Sequence, residues 1–258
     1  MDEAMVKYRR LVDLIRGMES VAIGFSGGAD STLLLKAALD SGAKVTVFMA
    51  VGDIFFLEDQ KAASALAEGM GVELVRFKID MVNDERFARN WEDRCYICKY
   101  EIFQRIKREA QAREIPFILE GSQADDLLEV RPGRAALLDL RVRSPLAEVG
   151  LTKQEVRRAL SELGLPNWNR PSNTCISTRV PYDTRITFQI LRRVEKAESA
   201  LRQFGFRDLR VRDHERWARV EVAPEDLPRL FENRAKVVEL LKGLGYHRVA
   251  LDLEGYLR

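Results

Sequence analysis

The chain has 258 residues, 46% of them hydrophobic and 32% charged, and a formal net charge of only +2. This length accommodates one large domain, or a large and a small one, around an ample core. The near balance of 42 basic and 40 acidic residues gives no global basic field, so no nucleic-acid partner is expected. No apolar run approaches the ~20 residues that span a bilayer. Residues 1–7 lack the basic start and apolar stretch of a secretory signal, so a cytoplasmic protein with no membrane partner is expected. Three cysteines are present, two of them spaced as Cys95-x-x-Cys98; in a reducing compartment this suits a metal, cluster or redox role better than a structural disulfide.

Taken in chain order, Val21–Gly24 reads as a buried strand running into Ser26-Gly27-Gly28-Ala29-Asp30-Ser31. A helix is predicted over Thr32–Leu39, closed by Gly42. Two glycines let the backbone curl until several N–H groups converge, and the helix N-terminus adds its positive dipole end. Ser26 and Ser31 can donate hydroxyls to phosphate oxygens, and Asp30 can hold magnesium beside them. No lysine follows the glycines, which separates this cradle from the Gly-x-x-x-x-Gly-Lys-Ser/Thr loop. Further strands are predicted at Lys44–Ala50, Val72–Ile79 and Pro116–Glu120, alternating with helices over Glu58–Met70 and Glu101–Arg113. Thr152-Lys153-Gln154-Glu155 is a capping box that opens a helix ending near Gly164. Alternation of this kind implies an α/β domain over residues 1–170 with a doubly wound parallel sheet, its ligand at the C-terminal strand ends.

A second Gly/Asp signature, Gly121-Ser122-Gln123-Ala124-Asp125-Asp126, follows the fourth predicted strand. That position puts it across the crevice from the glycine cradle, with Asp125 or Asp126 near the metal and Arg131 able to reach a phosphate. Residues 165–187 form a long Pro- and Asn-rich connection. Within it Cys175 lies between arginines, where a thiolate is electrostatically favoured. The tail reads helix (188–204), strand (209–213), strand (217–222), helix (225–241) and strand (248–253), a small α+β domain within residues 171–258. Arg210 and Arg212 stand two apart on one strand and so share a face.

The Ser26–Ser31 segment resembles the PP-loop of the ATP pyrophosphatase superfamily, whose members adenylate a substrate at the expense of ATP. With Gly121–Asp126, Asn167-Trp168-Asn169, the run from Cys175 through Arg179 to Pro181-Tyr182, and Leu209-Arg210-Val211-Arg212, the resemblance extends over nearly the whole chain to the LarE family of sulfur transferases. It implies an ATP- and Mg2+-dependent enzyme of nickel-pincer nucleotide biosynthesis. Such an enzyme converts the carboxylates of pyridinium-3,5-biscarboxylic acid mononucleotide to thiocarboxylates. On this reading Ser26, Gly27, Gly28 and Ser31 bind the leaving phosphates and Asp30 carries magnesium. Lys99 and Arg179 steady the α-phosphate. Arg210 and Arg212 fork onto the substrate's 5′-phosphate, with Glu221 positioning it.

The sulfur source divides the family. Some members sacrifice one cysteine at the position of Cys175, whereas three-cysteine members are also known. Here Cys95, Cys98 and Cys175 are expected to hold three corners of a [4Fe–4S] cluster whose fourth iron carries the transferred sulfide. Thiol chemistry without a cluster, and zinc, stay open. The remaining expectations are a sulfide or sulfur-delivery protein as partner and, from the resemblance, a homo-oligomer such as a hexamer. A tRNA thiolase of the same superfamily and a non-catalytic adenine-nucleotide sensor are the rival readings.

Overall fold

The computed structural model describes residues 2–128, 132–170 and 173–256. The chain divides into two compact units. The first comprises residues 1–52, 57–79 and 93–173; the second comprises 53–56, 80–92 and 174–258.

The first unit opens with α1 (Glu3–Arg16), whose Asp2 side chain accepts from the Ala4 N–H. This element stands ahead of the first expected strand. There follow β1 (Ser20–Gly24), α2 (Ala29–Asp40), β2 (Lys44–Val51), α3 (Leu57–Gly69) and β3 (Glu73–Lys78). The short helix α4 (Glu85–Ala88) lies in the second unit, and the chain returns through α5 (Arg94–Ala112) and β4 (Phe117–Leu119). Three helices close the unit: α6 (Pro132–Asp139), α7 (Pro145–Glu148) and α8 (Lys153–Glu162). The expected α/β class holds: the four strands form a wholly parallel sheet in the order β3-β2-β1-β4. Parallel strands need both faces covered. One face packs Leu33, Leu34 and Leu35 of α2 with the apolar stripes of α1 and α8. The other packs Phe48 and Phe77 against Phe103 and Ile106 of α5.

In α8 the predicted capping box forms: Thr152 Oγ1 accepts from the Glu155 N–H, and the Glu155 carboxylate accepts from the Thr152 N–H. α5 differs from expectation. It starts at Arg94, seven residues before Glu101, so Cys95 and Cys98 lie on a helix and not in a connection. Neither the charged, aromatic run 91–96 nor the cysteines give the apolar period that marks a helix start.

The second unit carries α9 (Phe188–Gln203), β5 (Leu209–His214), β6 (Trp217–Val222), α10 (Leu227–Glu232), α11 (Arg234–Gly243) and β7 (Arg248–Leu251). β6 pairs antiparallel with β5 and parallel with β7. Helix and strand pack around Leu201, Phe206, Val211, Val220 and Leu241. The single helix expected over 225–241 is broken at Asn233, whose side chain donates back to the Arg229 carbonyl. Asparagine competes for backbone bonds in this way. No helix among the described residues is long and apolar enough to cross a membrane.

Candidate active site

Strand order reverses between β1 and β4, and a parallel sheet binds ligands at such a point. The loops leaving these two strands are the two glycine signatures. Gly27 has φ +72°, and a Cβ there would stand 2.5 Å from that of Ala63, so backbone conformation and space both demand glycine. Gly28 opens α2, and no side-chain oxygen among the described residues caps that helix. The first-turn N–H groups are thus presented to a ligand. Ser31 Oγ donates to the Gly28 carbonyl (3.2 Å) and lies 3.2 Å from Ser26 Oγ. Gly121, across the switch point, packs so closely on α2 that a Cβ would come within 2.9 Å of the Ser31 nitrogen.

The second signature separates its two aspartates by role. Asp125 accepts from the Lys153 N–H (2.7 Å) and so caps α8. Asp126 accepts from the Gln123 N–H (3.1 Å), and its charge faces Asp30. Burial, then the Asp126 charge, raise the Asp30 carboxyl to about pKa 6, while Lys153 and Arg157 of α8 oppose the rise. Two neighbouring carboxylates beside a glycine cradle are a donor set suited to Mg2+. Lys153 and Arg157 escape a reading of motifs because they act through tertiary placement.

Lys99, expected at the α-phosphate, stands 3.5 Å from the buried carboxylate of Glu120. Glu120 also accepts from the Ser122 N–H and hydroxyl (2.9 Å each) and from the Ser144 hydroxyl (2.5 Å). This carboxylate, just past β4, therefore ties Lys99 to the Gly121 loop. Cys95 and Cys98 sit one helical turn apart at the start of α5, Cys95 exposed and Cys98 half-buried. Gly133 of α6 packs against that turn, with its Cβ position 3.1 Å from the Lys99 stem. Arg131 lies outside the described residues.

In the second unit Cys175 begins a 3-10 turn over Ile176–Arg179. Arg179 is 0% exposed and forms a bidentate pair with Glu198, itself 0% exposed, at 2.8 and 3.2 Å. Its remaining nitrogen donates to the carbonyls of Thr174 (3.0 Å) and Cys175 (3.2 Å) and to the hydroxyls of Thr174 and Thr178. The guanidinium thus clasps the cysteine loop. Glu198 also accepts from the Val211 N–H (3.1 Å), which joins α9, β5 and this loop. Asn90, at φ +63° and wholly buried, holds the loop's exit by donating to the carbonyls of Pro181 (2.7 Å) and Thr184 (3.0 Å).

Arg210 and Arg212 share a face of β5 as expected. Arg210 is buried, stacks over Tyr256 and donates to its hydroxyl (2.9 Å). Burial, then the Arg179 charge, lower it from the usual guanidinium range. Arg212, 28% exposed, grips Glu221 at 2.8 and 2.9 Å and donates to the Thr178 carbonyl (2.9 Å). Glu221 is shared with Arg219 (3.0 Å). None of the three cysteines is in a disulfide, and no group of three or more His, Cys, Asp or Glu among the described residues is gathered for a metal.

No protein-family model matches the chain. A glycine cradle and paired carboxylates at the reversal of a parallel sheet define an α/β protein with a PP-loop domain. The chain is 34% identical to the pyridinium-3,5-bisthiocarboxylic acid mononucleotide synthase of Lactiplantibacillus plantarum, over 97% of its own length and 91% of that protein's. It is also 34% identical over 97% of its length to an uncharacterized protein of Synechocystis, covering 94% of it, and 24% identical over 98% to one of Methanocaldococcus jannaschii, covering 99% of it. The chain belongs to the LarE family, that of the Lactiplantibacillus synthase.

Proposed function

We propose that this protein is an ATP-dependent sulfurtransferase that converts the carboxylates of pyridinium-3,5-biscarboxylic acid mononucleotide to thiocarboxylates. The cradle is the observation that carries the proposal. Gly27, Gly28 and the uncapped start of α2 offer converging N–H donors, and Asp30 with Asp126 offers a cation site beside them. That combination suits the β- and γ-phosphates of Mg2+-ATP. A substrate carboxylate oxygen attacks the α-phosphorus, the bond to the bridging oxygen breaks, and pyrophosphate leaves into the cradle. The acyl-adenylate then accepts sulfur at its carbonyl carbon and AMP departs. Lys99, held by Glu120, supplies positive charge for the α-phosphate in this scheme.

Substrate recognition falls to the second unit, where Arg212, the more exposed of the pair, keeps surface and Arg210 backs it from the same face. Glu221 sets the plane of the Arg212 guanidinium through two hydrogen bonds. For sulfur, Cys95 and Cys98 present two thiols from one helical turn, which fits two corners of an iron–sulfur cluster, and Cys175 is proposed as the third ligand. Such a cluster, when bound, would supply a labile sulfide and permit repeated turnover. Sulfide itself, or a protein that delivers it, is the proposed donor, in the cytoplasm.

The test is anaerobic incubation of iron-reconstituted protein with Mg2+-ATP, sulfide and the mononucleotide. Expected are pyrophosphate and AMP in equal amounts, both dependent on the mononucleotide, an unchanged protein mass, and visible charge-transfer absorption that Cys95→Ala removes. Nucleotide binding without pyrophosphate release would reduce the protein to a sensor. Loss of the mass of one hydrogen sulfide at Cys175, with full activity in the absence of iron, would replace the cluster with a sacrificed cysteine.

A further inference from the structure

The peptide between Gly27 and Gly28 is the weak point of the cradle. It joins two residues without Cβ atoms, so rotating the whole peptide plane meets little steric resistance. In a trans peptide the carbonyl and the N–H point in opposite directions, so a flip would turn the Gly28 N–H out of the cradle and a carbonyl into it. The carbonyl of Gly27 does not hang free. It accepts a hydrogen bond (3.2 Å) from Nδ2 of Asn167, in the turn that follows α8 and 140 residues away in sequence. The other Nδ2 proton goes to Thr32 Oγ1 (2.8 Å), whose own proton goes to the Gly28 carbonyl (2.8 Å). The Gly28 carbonyl also accepts from the Thr32 N–H (3.0 Å) and from Ser31 Oγ (3.2 Å), so the helix start holds the Gly28–Ala29 peptide, and the carboxamide is the hold on Gly27–Gly28.

We infer that Asn167 is a positioning residue that latches the Gly27–Gly28 peptide with its N–H turned toward the ligand. Two further facts favour a functional reason for this side chain. Asn167 is only 7% exposed, and its Oδ1 has no hydrogen-bond partner among the described residues. A buried acceptor without a donor disfavours the fold, and an apolar residue of similar size would avoid that cost. The carboxamide is therefore held for its two donors, which no other uncharged side chain of that volume supplies in this arrangement. The inference rests on the cradle being the nucleotide site, and it adds that the site's geometry is imposed by a residue 140 positions further along the chain.

The test uses Asn167→Leu, which removes donors and orphan acceptor together; Asn167→Asp, which keeps the shape and removes the donors; and Thr32→Val, which cuts only the relay. In nucleotide-free protein the backbone order parameter of the Gly28 N–H should fall from about 0.85 to below about 0.6 in both Asn167 variants. Ala29 and Leu33–Leu35 of α2 should stay rigid, and Thr32→Val, which keeps the Asn167 bond to Gly27, should leave the Gly28 N–H rigid. Calorimetric titration with Mg2+-ATP should show affinity weakened about tenfold or more in Asn167→Leu, and further in Asn167→Asp, with KM for the mononucleotide unchanged. A Gly28 N–H as rigid in both Asn167 variants as in the parent protein would overturn the latch. A loosened Gly28 N–H in those variants, together with no Mg2+-ATP binding by the parent, would sustain the latch and overturn the nucleotide reading. Should Asn167→Leu fail to fold, Thr32→Val and Asn167→Asp carry the same comparison.

Discussion

Asp30 is held where burial and the neighbouring Asp126 both oppose its charge, with a carboxyl at about pKa 6 against 3.8 for the ordinary side chain. Because the folded-state value lies above the unfolded one, the metal-free fold is favoured by protonation. That stabilisation is complete below about pH 4 and is lost as pH rises through 6. Discounted for partial exposure, the shift amounts to about 2 kcal/mol. Asp30→Asn should therefore stabilise the metal-free protein at pH 7 by ~1–2 kcal/mol while abolishing Mg2+-dependent pyrophosphate release. Urea titrations at pH 5 and pH 8 would show it: the parent should lose stability between them by more than the variant does, and equal slopes would discount the Asp30 charge. Gly27→Ala should have the opposite signature. It meets both a φ of +72° and the Ala63 Cβ, so it should destabilise by ~1–3 kcal/mol and remove nucleotide binding together. The Ser-Gly-Gly-x-Asp-Ser run, its helix and the closing glycines were legible because their chemistry is local. Asn167, Glu120 and Glu198 were not, since what they do depends on partners many residues away that no periodicity encodes.

Among the elements, α9, β5 and the cysteine loop are tied by a buried ionic knot. Glu198 bridges Arg179, Arg202 and the Val211 N–H, and Arg179 in turn grips the carbonyls of Thr174 and Cys175. Removing one member leaves its partner charged and buried, so Glu198→Ala should cost ~3–5 kcal/mol in chemical denaturation. The pair replacement Arg179→Met with Glu198→Leu should recover most of that stability yet leave Cys175 poorly held. Differing alkylation rates of Cys175 in the parent and the double variant would report it; equal rates would mean the loop is fixed without the guanidinium. Sequence patterning gave α9, β5 and the order of the strands. It missed α1, α4, α6 and α7 and misplaced two boundaries, the early start of α5 and the break at Asn233. There, aromatic, charged and asparagine residues decide the backbone course through specific contacts.

At the scale of the whole molecule, the two units are expected to answer to different ligands. A ligand that binds only the folded state at 100 times its dissociation constant adds about 2.7 kcal/mol to stability. Mg2+-ATP should therefore protect the cradle and α2 from hydrogen exchange, and the phosphorylated pyridinium substrate should protect β5 and β6. Protection of β5 and β6 by Mg2+-ATP alone, with α2 unaffected, would reverse the proposed division of labour.

The chain passes between the two units five times, since each is assembled from three separate stretches. Phe56, whose ring lies under the Arg179 guanidinium, and Asn90, which holds the exit of the cysteine loop, both belong to the second unit but are encoded within the first half of the chain. During synthesis these two stretches emerge from the ribosome long before the residues they serve. The second unit can therefore mature only after the last strand has been made, whereas the parallel sheet has all of its strands by Leu119. A fragment cut at the apparent border, residues 174–258, would lack both stretches. It should stay largely unfolded by circular dichroism until supplied with a peptide spanning 80–92, and independent cooperative folding of that fragment would show the early stretches to be dispensable.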